Sequence, residues 1–222
     1  MSTENGETRR QRQRRELLAD IEAEARRQLA AGGPSSVSMR AIARGVGLSS
    51  ASLYTYFDGL DDVFTLLLLG SYRSLAEATA TAVTAFGDAP PADRALVGIL
   101  AHRRWALAHR SEFNLIFSDQ LPGYQAPPGG PTVAAQTEVF EPIVDALRSL
   151  RTPDLSAEEL TVVWAAFHGA VSLEVNHHLD WLGDPAAMHE LAARRAFTGV
   201  GLPDPTSNLR ERFEKWAATA TP

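Results

Sequence analysis

The sequence predicts an all-α fold, and three observations carry that expectation. Apolar residues recur at helical spacing along most of the chain. No period-2 strand pattern stands out, and runs of Gly and Pro break the chain at intervals suited to helices. Charge then divides the chain. Residues 1–57 hold nine Arg against six Asp or Glu, a net +3, and residues 58–222 hold twelve Arg or Lys against twenty-one acids, a net −9. The sum of −6 argues by itself against a polyanionic partner, but the segregation describes a basic head on an acidic body. Five Arg lie between positions 9 and 15, and the plainer reading of such a cluster is a solvated basic tail.

The elements follow in order. Leu17, Ile21, Ala25 and Leu29, with Leu18 beside them, form one apolar stripe on a helix over about residues 9–31, which Gly32-Gly33-Pro34 ends. Ser38 can cap a second helix whose Met39, Ile42, Ala43 and Val46 follow i, i+3, i+4, i+7. Ser49 can cap a short third helix reaching Phe57. Asp58, Asp61 and Asp62 suit the positive end of a long fourth helix that extends to about Phe86. After a break at residues 87–91, helices are expected over about 92–109, 111–119, 133–150, 156–182 and 184–198. The run QLPGYQAPPGGP, residues 120–131, is too rich in Pro and Gly for regular structure. A second breaker run, TGVGLPDPTS, precedes a last amphipathic segment with Leu209, Phe213 and Trp216.

Composition narrows the function classes. At 222 residues the chain has room for one large domain or two small ones. Without cysteine it has no disulfide, thiolate metal site or cysteine nucleophile. The Arg-rich N-terminus lacks the apolar core of a secretory signal, and the apolar run at residues 63–70 is too short to span a bilayer. A cytoplasmic protein without membrane association is the expectation. The G-x-S-x-G, Walker and H-E-x-x-H motifs are absent, so no enzyme activity and no cofactor is expected. Glu174-x-x-His177-His178 has half of a di-iron pattern, but a second Glu-x-x-His is missing. No metal is expected, and a Glu174–His178 pair one turn apart is the simpler account.

The stretch SMRAIARGVGLSSASLYTYFDGLDDVF, residues 38–64, carries the most specific information. Two short helices meet at Val46-Gly47-Leu48-Ser49, the mark of a helix-turn-helix. Gly47 can take the left-handed backbone conformation, and Leu48 can then plug the angle beside Ile42, Ala43 and Leu53. At about 100° per residue, Leu53 and Phe57 face inward and Ala51 and Thr55 outward, with Ser52 and Tyr54 on the flanks. That outer face is small, uncharged and hydroxyl-rich, which a DNA groove tolerates. Through Ile42-Ala43, Gly47-Leu48-Ser49, Leu53-Tyr54, Tyr56-Phe57 and the acidic helix start, the stretch resembles the DNA-binding head of the TetR family of bacterial regulators. The resemblance covers residues 9 to about 70.

The resemblance implies a three-helix head at residues 9–58 after an unstructured tail at 1–8. It also implies a helical ligand-binding and dimerisation body at 59–200 and a C-terminal tail with a short helix at 201–222. By position, Arg40 and Ser49, Ser50, Ala51, Ser52 and Thr55 would face DNA, and Tyr54 and Tyr56 would contact phosphate or else pack between the third and first helices. Arg9, Arg10 and Arg12 would add sequence-independent attraction. Leu60 stands where the family usually has Lys, leaving the helix dipole and backbone N–H groups as the anion-binding features there. The implied partners are double-stranded operator DNA, a small effector and a second copy of the chain. The implied function is a transcriptional regulator, a repressor released by its effector.

In the body, Trp164, His168 and Gly169 form a Trp-x-x-x-His-Gly spacing that resembles a C-terminal domain type of some TetR-like regulators. His168 is either a core histidine satisfied locally or a ligand-recognition group. Trp105, Phe113, Phe117, Phe140 and Phe167 are candidates to line a cavity for a mainly apolar or aromatic ligand, and plain core packing is the alternative for each. Arg103 and Arg104 are expected to face solvent. The helices near 156–182 and 184–198 have apolar residues on more than one face, so Val163, Ala170 and Val171, with Glu174 and His178, are expected at a dimer interface. The competing class is an all-α enzyme or metal protein in which the helix-turn-helix is structural.

Overall fold

The structure is a computed structural model, and it describes residues 8–118, 121, 124, 129–151 and 154–220. Among these residues there are ten α-helices and no strand. They are α1 (Arg9–Gly32), α2 (Met39–Gly45), α3 (Ser50–Leu53), α4 (Leu60–Ala85), α5 (Pro91–Ala108), α6 (Arg110–Phe117), α7 (Pro131–Arg148), α8 (Ala157–Val175), α9 (Pro185–Gly199) and α10 (Leu209–Thr219). The chain forms two compact units. The first runs to Ser71 and includes Ser111–Thr132, and the second comprises Tyr72–Arg110 and the chain from Val133 onward. The expected boundary at 58/59 thus differs from the observed one, which falls inside α4, because the head shares its core with the first turns of that helix.

In the first unit, Ile21, Ala25 and Leu29 of α1 are buried, as the stripe predicted, together with Ile42, Ala43, Leu53, Val63 and Leu67. Residues 1–7 of the expected tail lie outside the described residues. Thr8 caps α1: its side chain accepts the Gln11 N–H while the Gln11 side chain accepts the Thr8 N–H. Gln28 is a buried polar link between α1 and α2. Its amide oxygen accepts the Ser38 N–H at 3.1 Å, which fixes the start of α2. The third helix is shorter than expected. Regular α-helix ends at Leu53, and Thr55 and Tyr56 continue as tighter turns bonded to the carbonyls of Ser52 and Leu53. The loop at residues 120–131 falls mostly on residues outside those described, although the Tyr124 hydroxyl lies 3.1 Å from Thr65 Oγ1.

The second unit is built around α8 and α9, with α5 packing on both and on α10. Its core includes Leu96 and Ile99 of α5, Ile143 of α7, Val163 and Phe167 of α8, and Phe197 of α9. Leu202, Leu209, Phe213 and Ala217 join that core, so residues 201–220 are part of the body and not a tail. Buried Asp93 holds the preceding loop, accepting the Thr206 N–H at 2.8 Å and the Thr206 hydroxyl at 2.7 Å. Asp93→Ala should lower stability by about 2–3 kcal/mol, read as a reduced urea midpoint at unchanged slope. An unchanged midpoint would show that the loop is not anchored there.

Helix α8 stops at Val175, seven residues short of the expected end. His177 takes φ 63° and the His178 N–H bonds the Leu173 carbonyl, closing the helix without the glycine that usually signals such an end. Arg110 completes the stop, donating to the Val175 carbonyl at 2.6 Å, where a cation suits the negative end of the helix.

Candidate nucleic-acid interface and effector groove

In the first unit, Gly47 has φ 72° and lets the Leu48 N–H reach back to the Ala43 carbonyl at 2.8 Å, which sets the angle between α2 and α3. Ser49 caps α3 by accepting the Ser52 N–H at 3.0 Å, and the two hydroxyls lie 2.8 Å apart. Leu53 is fully buried and Phe57 nearly so, leaving Ser50, Ala51 and Thr55 exposed on the opposite side, with Ser52 half-buried. The Thr55 hydroxyl donates to the Ser52 carbonyl at 2.7 Å, so in this arrangement it presents lone pairs outward. A face of this kind can accept from base amino groups or sit against a thymine methyl.

Exposed cations stand on α1 and α2. Arg40 projects from the exposed side of α2. Arg9, Arg10 and Arg12 are exposed on the first turns of α1, where no acidic residue offsets them. Positive charge at a helix N-terminus is unfavourable by a few tenths of a kcal/mol per residue, a cost that a polyanion would relieve. The Arg14 guanidinium lies 5.9 Å from the centre of the Tyr56 ring. Tyr56 is therefore half-buried toward α1, whereas Tyr54 is 54% exposed and packs against little.

The start of α4 is acidic, as its sequence predicts. Asp61 and Asp62 occupy its first turn, and the Asp62 carboxylate accepts the Asp58 N–H at 2.7 Å. These acids already satisfy the positive helix end, so it does not offer an anion site in place of the missing cation at Leu60.

In the second unit, α7 and α8 enclose a groove of about 390 Å³. Phe140, Trp164 and Phe167 line it, together with Val144, Leu147 and Leu160, and its polar groups are Gln136, Thr137 and Thr161. The other candidates lie elsewhere. Trp105 is buried, donates its indole N–H to Ser74 Oγ at 2.9 Å and stacks on His109. Phe113 is fully buried in the first unit, 5.0 Å from Phe117, as packing. His168 sits behind the groove wall, stacked on Trp164 at 4.7 Å.

Two histidines that the sequence reading did not single out complete this region. His102 is fully buried, edge-on to Phe167 at 5.3 Å and 6.1 Å from His168. His189 is fully buried on α9, with both ring nitrogens lacking a hydrogen-bond partner among the described residues. Burial pushes His168 down to about 4. It pushes His189 down to about 3, helped by the Arg103 charge. Burial, then repulsion from His168 and His189, holds His102 well below the usual histidine range. All three are neutral at pH 7. They come from α5, α8 and α9, and no local spacing marks them as a group.

The expected dimer residues also move. Val163, Ala170 and Val171 are buried inside the second unit, so they cannot meet a partner. Exposed apolar residues stand on other faces of the same helices, at Val162 and Leu173 of α8 and Leu191 of α9. Glu174 does not pair with His178. It takes two hydrogen bonds from Arg103, at 2.7 and 2.5 Å, so Arg103 does not face solvent. Arg104 is likewise engaged, donating to the Ala217 carbonyl at 3.0 Å. His177 faces Asp180 at 3.2 Å, and no group of three His, Asp or Glu suited to a metal ion occurs among the described residues. No described helix is long and apolar enough to cross a membrane.

Comparison with known proteins places both units. Residues 21–66 match the family model described as bacterial regulatory proteins, tetR family, and residues 97–196 match that of a tetracyclin repressor-like C-terminal domain. The HTH-type transcriptional regulator Rv1816 of Mycobacterium tuberculosis is 29% identical over 217 residues, covering 82% of this chain and 92% of its own. The crystal structure of SCO4313 is 30% identical with a TM-score of 0.74, covering 86% of this chain and all of that one. A Rhodococcus sp. RHA1 protein of unknown function shares the fold at 22% identity and a TM-score of 0.68, over 82% of this chain and 94% of its own.

Proposed function

This chain belongs to the TetR family of DNA-binding transcriptional regulators, and from that premise we propose that it is a repressor which a small effector releases from a palindromic operator. The observation that carries the DNA-binding half is the outward face of α3. Ser50, Ala51 and Thr55 form an exposed, uncharged surface set by the Gly47 hinge and anchored by buried Leu53, with exposed arginines on α1 and α2. The reading places Arg40, Ser49, Ser50, Ala51, Ser52 and Thr55 in the groove, Tyr54 at phosphate, and Arg9, Arg10, Arg12 and Arg14 in its field. Tyr56 acts by holding Arg14.

Dimerisation supplies the second half-site. Val162, Leu173 and Leu191 support a four-helix bundle of α8 and α9 with their two-fold mates. Two heads would then meet half-sites about 34 Å apart. The effector, mainly apolar or aromatic, enters the α7–α8 groove and favours a head spacing that mismatches the operator.

Fluorescence anisotropy on the promoter DNA of the protein's own gene tests this reading. Affinity should fall by roughly 10³-fold between 50 and 200 mM salt, as for a protein with several phosphate contacts. Leu191→Glu should sediment as a monomer and lose most of the affinity. Salt-insensitive binding, or no binding to that DNA, would overturn the proposal.

A further inference from the structure

The α7–α8 groove has a chemistry that narrows what it can hold. Its volume of about 390 Å³ lies at the lower end of the range for sites that take a single small molecule. One wall is aromatic. Phe140 and Trp164 meet edge to face, with centroids 6.3 Å apart, so the Trp164 indole and the Phe140 ring offer a corner for a flat ring system. Among the described residues, no Asp, Glu, Lys or Arg lines the groove.

The histidine rings against this wall are uncharged as well. The groups that back it are His168, stacked on Trp164, and His102, against Phe167 and 6.2 Å from Phe140. Both stay neutral at physiological pH because burial disfavours their charged forms. An anion entering the groove would thus meet no cation there, and a cation would meet no carboxylate, while either would lose its hydration to apolar walls. The polar groups, Gln136, Thr137 and Thr161, are neutral donors and acceptors suited to a hydroxyl or carbonyl.

We propose that the α7–α8 groove binds an uncharged planar aromatic molecule bearing a hydroxyl or carbonyl group, stacked against Trp164 and excluding charged analogues of the same size. This rests on the reading of the second unit as the effector-binding body, and it specifies the ligand class of that site.

Three probes of one ring system test it: 2-naphthol, 2-naphthoate and 2-naphthylmethylammonium at pH 7, with the full chain. Naphthol should raise the melting temperature by at least about 2 °C at saturation, and the two ions should leave it unchanged. Trp164→Ala should weaken naphthol binding at least tenfold. Thr137 is exposed, so Thr137→Lys should fold normally and admit naphthoate while weakening naphthol. Equal binding of the ions through Trp164 would overturn the charge rule alone. Binding of naphthol that survives Trp164→Ala and Thr137→Lys unchanged would place the site outside this groove. If none of the probes binds, the proposal fails, and the anisotropy measurement on promoter DNA still decides the regulator reading separately.

Discussion

Ala51→Glu should weaken operator binding by at least about a hundredfold while leaving the fold intact. Ala51 is exposed on the outer face of α3, between Ser50 and Ser52, where small side chains form the proposed contact. A carboxylate there faces a polyanion, and like charges across an interface cost several kcal/mol, with each 1.4 kcal/mol worth tenfold in affinity. The same side chain touches nothing in the free protein, so stability should change by less than about 0.5 kcal/mol. Ala51→Gln separates charge from bulk. It should weaken binding less than Glu does, because it adds the same volume without the repulsion. Wild-type anisotropy from Ala51→Glu, with an unchanged far-UV spectrum, would remove α3 from the DNA interface.

Mild acid should destabilise the protein well before its carboxylates titrate, and His189→Leu should remove much of the effect. His189 ionises near 3 in the folded chain and His168 near 4, against the ordinary 6.5 of the unfolded chain. Between those limits the unfolded chain binds protons that the folded chain refuses. Stability is therefore complete above about pH 6.5 and falls as the pH drops, with the full penalty reached below the folded values. At pH 4.5, fully buried His189 alone would account for on the order of 2–3 kcal/mol. That corresponds to roughly 5–10 °C in melting temperature for a chain of this size. Glu24, Glu159 and Glu211 have pKa values lowered from 4.5, so they contribute only at more acidic pH. Leucine at 189 fills a similar volume and removes two unpartnered nitrogens. The variant should melt higher than wild type at pH 7, and the gap should widen at pH 5. Parallel melting curves for the two proteins from pH 7.5 to pH 5 would count against a proton-linked role for His189.

Much of the first unit was legible because its information is local. The caps at Ser38 and Ser49, the positive φ at Gly47 and the stripe Ile21, Ala25, Leu29 all depend on residues within a few positions of each other. The body was legible as helices and less so as faces. Along α8, Val162 and Val163 are equally apolar, and about 100° of rotation separates the one exposed to solvent from the one in the core. A helix with apolar residues on several sides does not reveal by periodicity which side its neighbours take.

By itself, then, the sequence determined the helical class, the hinge, the uncharged outer face of α3 and the segregation of charge between head and body. Each follows from short-range spacing and residue chemistry. Only the tertiary structure decided that α8 ends at Val175, that Glu174 answers to Arg103, and that residues 201–220 complete the core. It also brought Phe140 beside Trp164 to make a groove and gathered His102, His168 and His189 from three helices. Those arrangements join residues tens of positions apart, and which of them meet is set by how whole helices share a limited core, a quantity no local pattern encodes.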